Sequence, residues 1–168
     1  EGKKYYSAYF GVYPNVWRHG DFIEVNERGG VVIYGRSDAT LNPGGVRIGT
    51  AEIYSIVALM PEVVDSVVVG QNWKNDVRVI LFVKLPEGEQ LTEALTKKIK
   101  DTIRTLASPR HVPAKIIAVP GIPYTLNMKK VEMAVKNVID GRPVLNKDAL
   151  GNPEVLDFYA AIKELHED

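Results

Sequence analysis

Pro123-Tyr124-Thr125-Leu126-Asn127-Met128-Lys129-Lys130-Val131-Glu132 is the stretch whose residue types point most directly to chemistry. Asn127 suits a helix N-cap, which predicts a helix over 128–139 with Lys129 and Lys130 in its first turn. Each cation there opposes the helix dipole by roughly 0.3–1 kcal/mol, a poor position for lysines that serve stability alone. Free backbone N–H groups at a helix start, with an ammonium beside them, can instead hold a phosphate or a carboxylate. A pair of solvated surface lysines compensated by Glu132 is the bland alternative, and spacing alone leaves both open.

A second group lies in Gly35-Arg36-Ser37-Asp38-Ala39-Thr40-Leu41-Asn42-Pro43-Gly44-Gly45-Val46-Arg47-Ile48. Two arginines flank a glycine-rich reversal, and glycine lets a ligand approach the backbone while arginine clamps phosphate in a fork. That is equipment for binding rather than for proton transfer, although turn glycines and surface arginines read the same way. In Trp17-Arg18-His19-Gly20-Asp21, the carboxylate of Asp21 can accept from paired ribose hydroxyls or simply cap a turn. His19, His111 and His166 lack the spacing and companions of a metal site, and Ser37 and Ser108 lack an evident base.

The elements that must position these residues read as a small α+β domain. Residues 5–17 are aromatic and irregular, a segment that wants a partner surface. Phe22–Asn26 and Val31–Gly35 form a β-hairpin across Glu27-Arg28-Gly29-Gly30. Pro43 and Gly44 suit the centre of a type II turn, and Thr50 can cap a helix over 51–60 that ends at Pro61. Residues 63–70 and 77–84 are β-branched runs joined by turn residues 72–76, an antiparallel pair. Leu91, Leu95, Ile99, Ile103 and Leu106 recur at helical spacing. Residues 115–119 form a third strand, and 154–165 a last helix. The expected architecture is a three-stranded sheet flanked by helices, with a preceding β-hairpin.

Composition removes several function classes. Lys plus Arg and Asp plus Glu number 21 each in 168 residues, so no global field exists to hold nucleic acid or an anionic membrane surface. There is no cysteine, which excludes disulfides and thiol catalysis and fits a cytoplasmic protein. No apolar run approaches the roughly 20 residues of a membrane span. The opening Glu1-Gly2-Lys3-Lys4-Tyr5-Tyr6 has neither an initiator Met nor a signal-peptide core, and reads as a chain that starts inside a longer protein.

Taken in order, Arg18-His19-Gly20-Asp21, Gly35-Arg36-Ser37-Asp38, Gly45-Val46-Arg47-Ile48-Gly49-Thr50-Ala51-Glu52 and Pro123 through Met128-Lys129 resemble the last motifs of the adenylate-forming superfamily. Asn42 and Gly49-Thr50-Ala51-Glu52 are similar to its short-chain branch, and Trp17–Asp21, Ala39–Arg47 and Pro123–Glu132 to the acetoacetyl-CoA synthetase family within it. The resemblance implies an ATP-dependent acid–CoA ligase of lipid metabolism, with acetoacetate the favoured acid. Residues 1–37 would be the end of a large N-terminal adenylation domain and 38–168 a mobile C-terminal domain, the fragment alone being inactive. It further implies Lys129 as the catalytic lysine, Asp21, Arg36 and Arg47 as nucleotide contacts, Asp38 as hinge, and Gly44, Gly45 and Arg104 as CoA contacts. ATP and CoA would be substrates, with Mg2+ held mainly by the missing domain. The partners implied are small molecules and that domain, with no nucleic acid and no membrane. An acetyl- or propionyl-CoA synthetase, and a non-catalytic module of the same fold, are the alternatives. Met128 stands where the family usually has glycine, which puts the backbone before Lys129 in question.

Overall fold

The computed structural model describes residues 2–167 and is organised around one three-stranded sheet. Strands β3 (Asp65–Trp73) and β4 (Asp76–Lys84) run antiparallel in register from Asp65 opposite Lys84 to Trp73 opposite Asp76. Between them lies a two-residue turn, with Lys74 and Asn75 at φ 45° and 64°. That left-handed pair matches a type I′ hairpin. Strand β5 (Lys115–Ala118) adds parallel to β4, reached through helix α3 (Glu93–Leu106).

Alternation along these strands feeds two separate cores, because successive side chains leave a strand on opposite faces. Val67, Val69, Ile80, Phe82 and Ile117 face helices α4 (Glu132–Ile139) and α5 (Val155–Ala160). Val68, Val79, Leu81 and Val83 face α3 and helix α2 (Thr50–Val57). Helix α3 follows its sequence pattern: the Thr92 hydroxyl accepts from Leu95 N–H at 3.1 Å, and Ile99 and Ile103 are fully buried. Leu106, at the end of the stripe, is exposed. The C-terminal segment is pinned from the sheet. Gln71, only 3% exposed, donates to the Leu165 carbonyl at 2.9 Å, and Arg78 reaches the carbonyls of Leu165 and Glu167 while lying over the Trp73 ring.

Before this sheet, β1 (Asp21–Val25) and β2 (Val31–Arg36) form the expected hairpin, its turn held by the Asn26 side chain accepting from the N–H groups of Arg28 and Gly30. Several local expectations need correction. The aromatic stretch begins with helix α1 (Lys3–Tyr9), where Tyr5 and Tyr9, one turn apart, pack with ring centroids 5.1 Å apart and planes tilted by 55°. Gly49, not Thr50, caps α2, its N–H donating to Glu52 Oε1 at 2.7 Å. Around Pro43, the central turn residues are Gly44 and Gly45, at φ 56° and 78°, with Val46 N–H returning to the Pro43 carbonyl. Two consecutive left-handed positions suit a glycine pair and exclude proline. The last helix breaks after Ala160, because Ile162 turns extended and carries both itself and Leu165 into the core. No helix among the described residues is long and apolar enough to cross a membrane.

Tyr159, 1% exposed, ties α5 to the loop after β5 through its hydroxyl, which donates to the Gly121 carbonyl at 2.9 Å. Tyr159→Phe is expected to lower unfolding free energy in urea by about 1–2 kcal/mol, since it removes one bond and strands a buried acceptor. An unchanged midpoint would show that the carbonyl finds another donor.

Candidate functional site

Lys129 does not lie in a helix. Helix α4 starts at Glu132 with Val131 as its cap, so Asn127 caps nothing and the helix-dipole argument does not apply. Residues 125–129 instead form a tight turn. Met128 N–H donates to the Thr125 carbonyl at 2.9 Å, Thr125 N–H to the Lys129 carbonyl at 2.9 Å, and Lys129 N–H to Thr125 Oγ1 at 3.1 Å. Those bonds take the donors that a helix start would have used. Met128 sits at φ 57°, the left-handed conformation that glycine adopts without cost and an L side chain does not, and it is 74% exposed.

The two neighbouring lysines have different environments. Lys129 projects exposed from the turn, while Lys130 is held inward. Lys130 Nζ lies 2.7 Å from Asp65 Oδ1, donates to the Ser66 carbonyl at 2.7 Å, and sits 4.5 Å above the Tyr54 ring. Tyr124, paired with Lys130 across the turn, donates its hydroxyl to Asp65 Oδ2 at 2.6 Å. Tyr54 in turn donates to Glu132 Oε1 and accepts from Val68 N–H, both at 3.1 Å. Burial, then the neighbouring Glu132 charge, push the Tyr54 phenol well above its usual pKa. Burial and the bond to Asp65 push Tyr124 upward as well. Asp65 and Tyr54 carry no signal in the sequence, because their side-chain partners Tyr124 and Glu132 lie 59 and 78 residues away.

Asp21, Arg36 and Asp38 come together at the first hairpin. Asp21 pairs with Arg36 in the β1–β2 register, and His19 Nδ1 lies 2.5 Å from Asp21 Oδ2. Arg36 forks onto Asp38, with Nε 3.3 Å from Oδ1 and Nη2 3.1 Å from Oδ2. Gly20 sits at φ 92°, a backbone conformation that suits glycine, and a side chain there would also press on that guanidinium at 3.2 Å.

The Gly44–Gly45 turn is anchored at the β3–β4 hairpin, its Gly44 N–H lying 3.1 Å from both oxygens of Asp76. Arg110, which the sequence did not single out, brings Nη1 within 3.8 Å of where a side chain on Gly44 would begin. Arg47 is exposed beside the same turn. Nearby, His111 joins Ser108 Oγ at 2.8 Å to Glu52 Oε2 at 3.2 Å, so Ser108 does have an imidazole beside it. The Ser108 oxygen also accepts from Arg110 N–H, which makes the trio a brace between this loop and α2. Arg104 lies elsewhere, paired with Asp101 at 3.0 Å in an open groove of about 1300 Å³ between α3 and β5. No cluster of three or more His, Cys, Asp or Glu able to hold a metal forms among the described residues.

The AMP-binding enzyme C-terminal domain matches residues 52–129, ending on Lys129. The chain is 62% identical to acetoacetyl-coenzyme A synthetase of Rhizobium meliloti over 98% of its own length and 25% of that protein. It is 51% identical to the Gallus gallus acetoacetyl-CoA synthetase, again over 98% of this chain and 25% of the relative. The solved acetoacetyl-CoA synthetase from Streptomyces lividans superposes with a TM-score of 0.86 at 46% identity, covering 95% of this chain and 24% of that one. The chain therefore spans about a quarter of the length of the curated relatives it matches.

Two outcomes follow from this geometry. Met128→Gly is expected to raise stability by up to about 1 kcal/mol in denaturant unfolding, the relief of left-handed strain exceeding the entropy cost of glycine, while the β-branched Met128→Val lowers it. Equal midpoints for all three proteins would contradict the strain. The raised Tyr54 and Tyr124 pKa values mean that the folded chain favours the neutral phenol. Their stabilising share is complete below the unfolded value of about 10 and is lost as pH rises above it through the folded values. Unfolding measured from pH 8 to 12 should show this alkaline loss, and Tyr54→Phe should reduce its slope.

Proposed function

We propose, from the match of residues 52–129 to the AMP-binding enzyme C-terminal domain, that the chain is the C-terminal part of an ATP-dependent acid–CoA ligase with acetoacetate as the favoured acid. In this reading residues 1–37 are the end of the large adenylating domain and residues 38–168 the part that swings, with Asp38 as pivot. The exposed apolar residues Ile23, Val25, Val31 and Ile33 of the first hairpin support that division, since they offer a surface suited to a larger neighbour.

One observation carries the reading. Lys129 is tied to Asp65 through its neighbours, and the Gly44–Gly45 turn is tied to Asp76, at opposite ends of the nine-residue β3–β4 ladder. The eight steps from Asp65 to Trp73, which faces Asp76, span roughly 26 Å at about 3.3 Å each. A rigid domain cannot bring both ends to one reaction centre at once. Two successive half-reactions served by a rotation need just such a separation.

In the first half-reaction a carboxylate oxygen of the acid attacks the α-phosphorus of ATP, and the bond to pyrophosphate breaks. The Lys129 ammonium meets the negative charge gathering between carboxylate and phosphate, an electrostatic role for a group that has no ion-pair partner to give up among the described residues. Asp21 accepts from the ribose hydroxyls and Arg36 contacts the same nucleotide. In the second half-reaction the sulfur of CoA, having lost its proton, attacks the acyl carbon and AMP departs with the electron pair. The Gly44–Gly45 turn lines the pantetheine path, Arg47 stays near the nucleotide, and Arg104 takes the CoA phosphates. Mg2+ would accompany the ATP phosphates, held mainly by the large adenylating domain. A cysteine-free chain working on water-soluble substrates supports action in the cytoplasm.

In the longer enzyme, Lys129→Ala should lower acyl-adenylate formation by at least about 100-fold, as loss of an oxyanion-stabilising donor does elsewhere. Thioester formation from preformed acetoacetyl-adenylate should stay near wild type. Survival of both half-reactions would overturn the assignment, and a preference for acetate or propionate would overturn the acid.

A further inference from the structure

We infer that Asp65 is the positioning residue for Lys129, a role resting on the proposed function of that lysine. The side chain of Lys129 is exposed and its location depends entirely on the turn that carries it. The two residues at the base of that turn, Tyr124 and Lys130, face each other across an isolated antiparallel bridge. Both end on the same carboxylate, Tyr124 Oη on Asp65 Oδ2 at 2.6 Å and Lys130 Nζ on Asp65 Oδ1 at 2.7 Å.

Asp65 is the first residue of β3, and its Oδ1 also accepts from Ser66 N–H at 2.7 Å, which fixes the rotamer of the carboxylate on the sheet. The sheet edge thus grips the turn from both sides through two oxygens of one group. A carboxylate suits this grip because both partners donate to it and one of them is a cation. An asparagine removes the charge that Lys130 pairs with and one of the two acceptors, and it holds Tyr124 only by reversing that bond, its amide donating to the phenol oxygen. The turn itself survives, since Leu126 N–H donates to the Ala149 carbonyl, Gly151 N–H to the Tyr124 carbonyl and Tyr124 N–H to Asn152 Oδ1. Releasing one arm of the grip shifts or loosens Lys129 without unfolding the domain, and a displacement of about 1 Å at a reacting group can cost about 100-fold in rate.

The test uses the longer enzyme with Asp65→Asn, Tyr124→Phe and Lys129→Ala, each assayed for acetoacetyl-adenylate formation and for thioester formation from preformed adenylate. Asp65→Asn is expected to slow adenylation about 10- to 100-fold with thioester formation and the KM for CoA within about twofold. Tyr124→Phe, which loses one bond and keeps the Lys130 pair, is expected to slow adenylation about threefold to tenfold and covers the case in which Asp65→Asn fails to fold. An equal fall in both half-reactions would reduce Asp65 to a structural residue and overturn the inference. Wild-type adenylation in both variants, with Lys129→Ala inactive, would also overturn it while leaving the proposed function standing. Wild-type adenylation in Lys129→Ala would instead remove the reading on which the inference rests.

Discussion

The long antiparallel ladder of β3 and β4 is the constraint on which the rest of the structure depends. Nine paired residues on each strand give the sheet two apolar faces, and each face nucleates its own core. Had the ladder been half as long, one layer of helices would lack a floor. Its length also fixes where binding groups can sit, because the loops at its two ends are the places where the backbone leaves the sheet. Asp65 at one end and Asp76 at the other are the carboxylates that hold a neighbouring loop to those ends. A single rigid strand pair therefore presents two chemically distinct tips.

The two tips are built on different principles. At the Asp76 end, glycine supplies a left-handed turn without a side chain, leaving open backbone that a narrow chain can pass. At the Asp65 end, the turn carries bulk: Leu126 and Met128, just before Lys129, are both mostly exposed. Met128 pays a conformational penalty at its positive φ, and the clamp on Tyr124 and Lys130 is what over-determines the turn enough to hold it there. The contrast between Lys129 and Lys130 has the same origin. One ammonium is consumed by Asp65, Ser66 and the Tyr54 face, so the adjacent one is left available.

Elements set by short-range pattern were legible in the sequence. The β-branched runs gave β3 and β4, the four-residue spacing of Leu95, Ile99 and Ile103 gave α3, and the Glu27–Gly30 link gave the first hairpin. Readings that relied on one residue's local preference went astray where a distant partner outbid it. Asn127 is a good cap in isolation, yet Thr125 and Asp65 capture the surrounding groups and delay the helix to Glu132. The resemblance pointed to Lys129, whereas nothing in the sequence pointed to Asp65, Tyr54 or Asp76. Their importance exists only once strands far apart in sequence are laid side by side.

Lys130 shows why a motif read without its fold is ambiguous. Both lysines fit a phosphate site by type and spacing, and the dipole argument assigned them the same role. The fold separates them by alternation: across a turn closed by the Tyr124–Lys130 bridge, the residue at the bridge faces the sheet and its neighbour faces away. A carboxylate on the sheet then selects the inward one as an anchor. Among the described residues no near partner compensates the charge of the outward lysine, which costs little in water and, under the proposed function, is worth a great deal once a phosphate and a carboxylate enclose it away from solvent. The same ion pair that stabilises the fold is thus what leaves a free cation at the tip of a rigid arm.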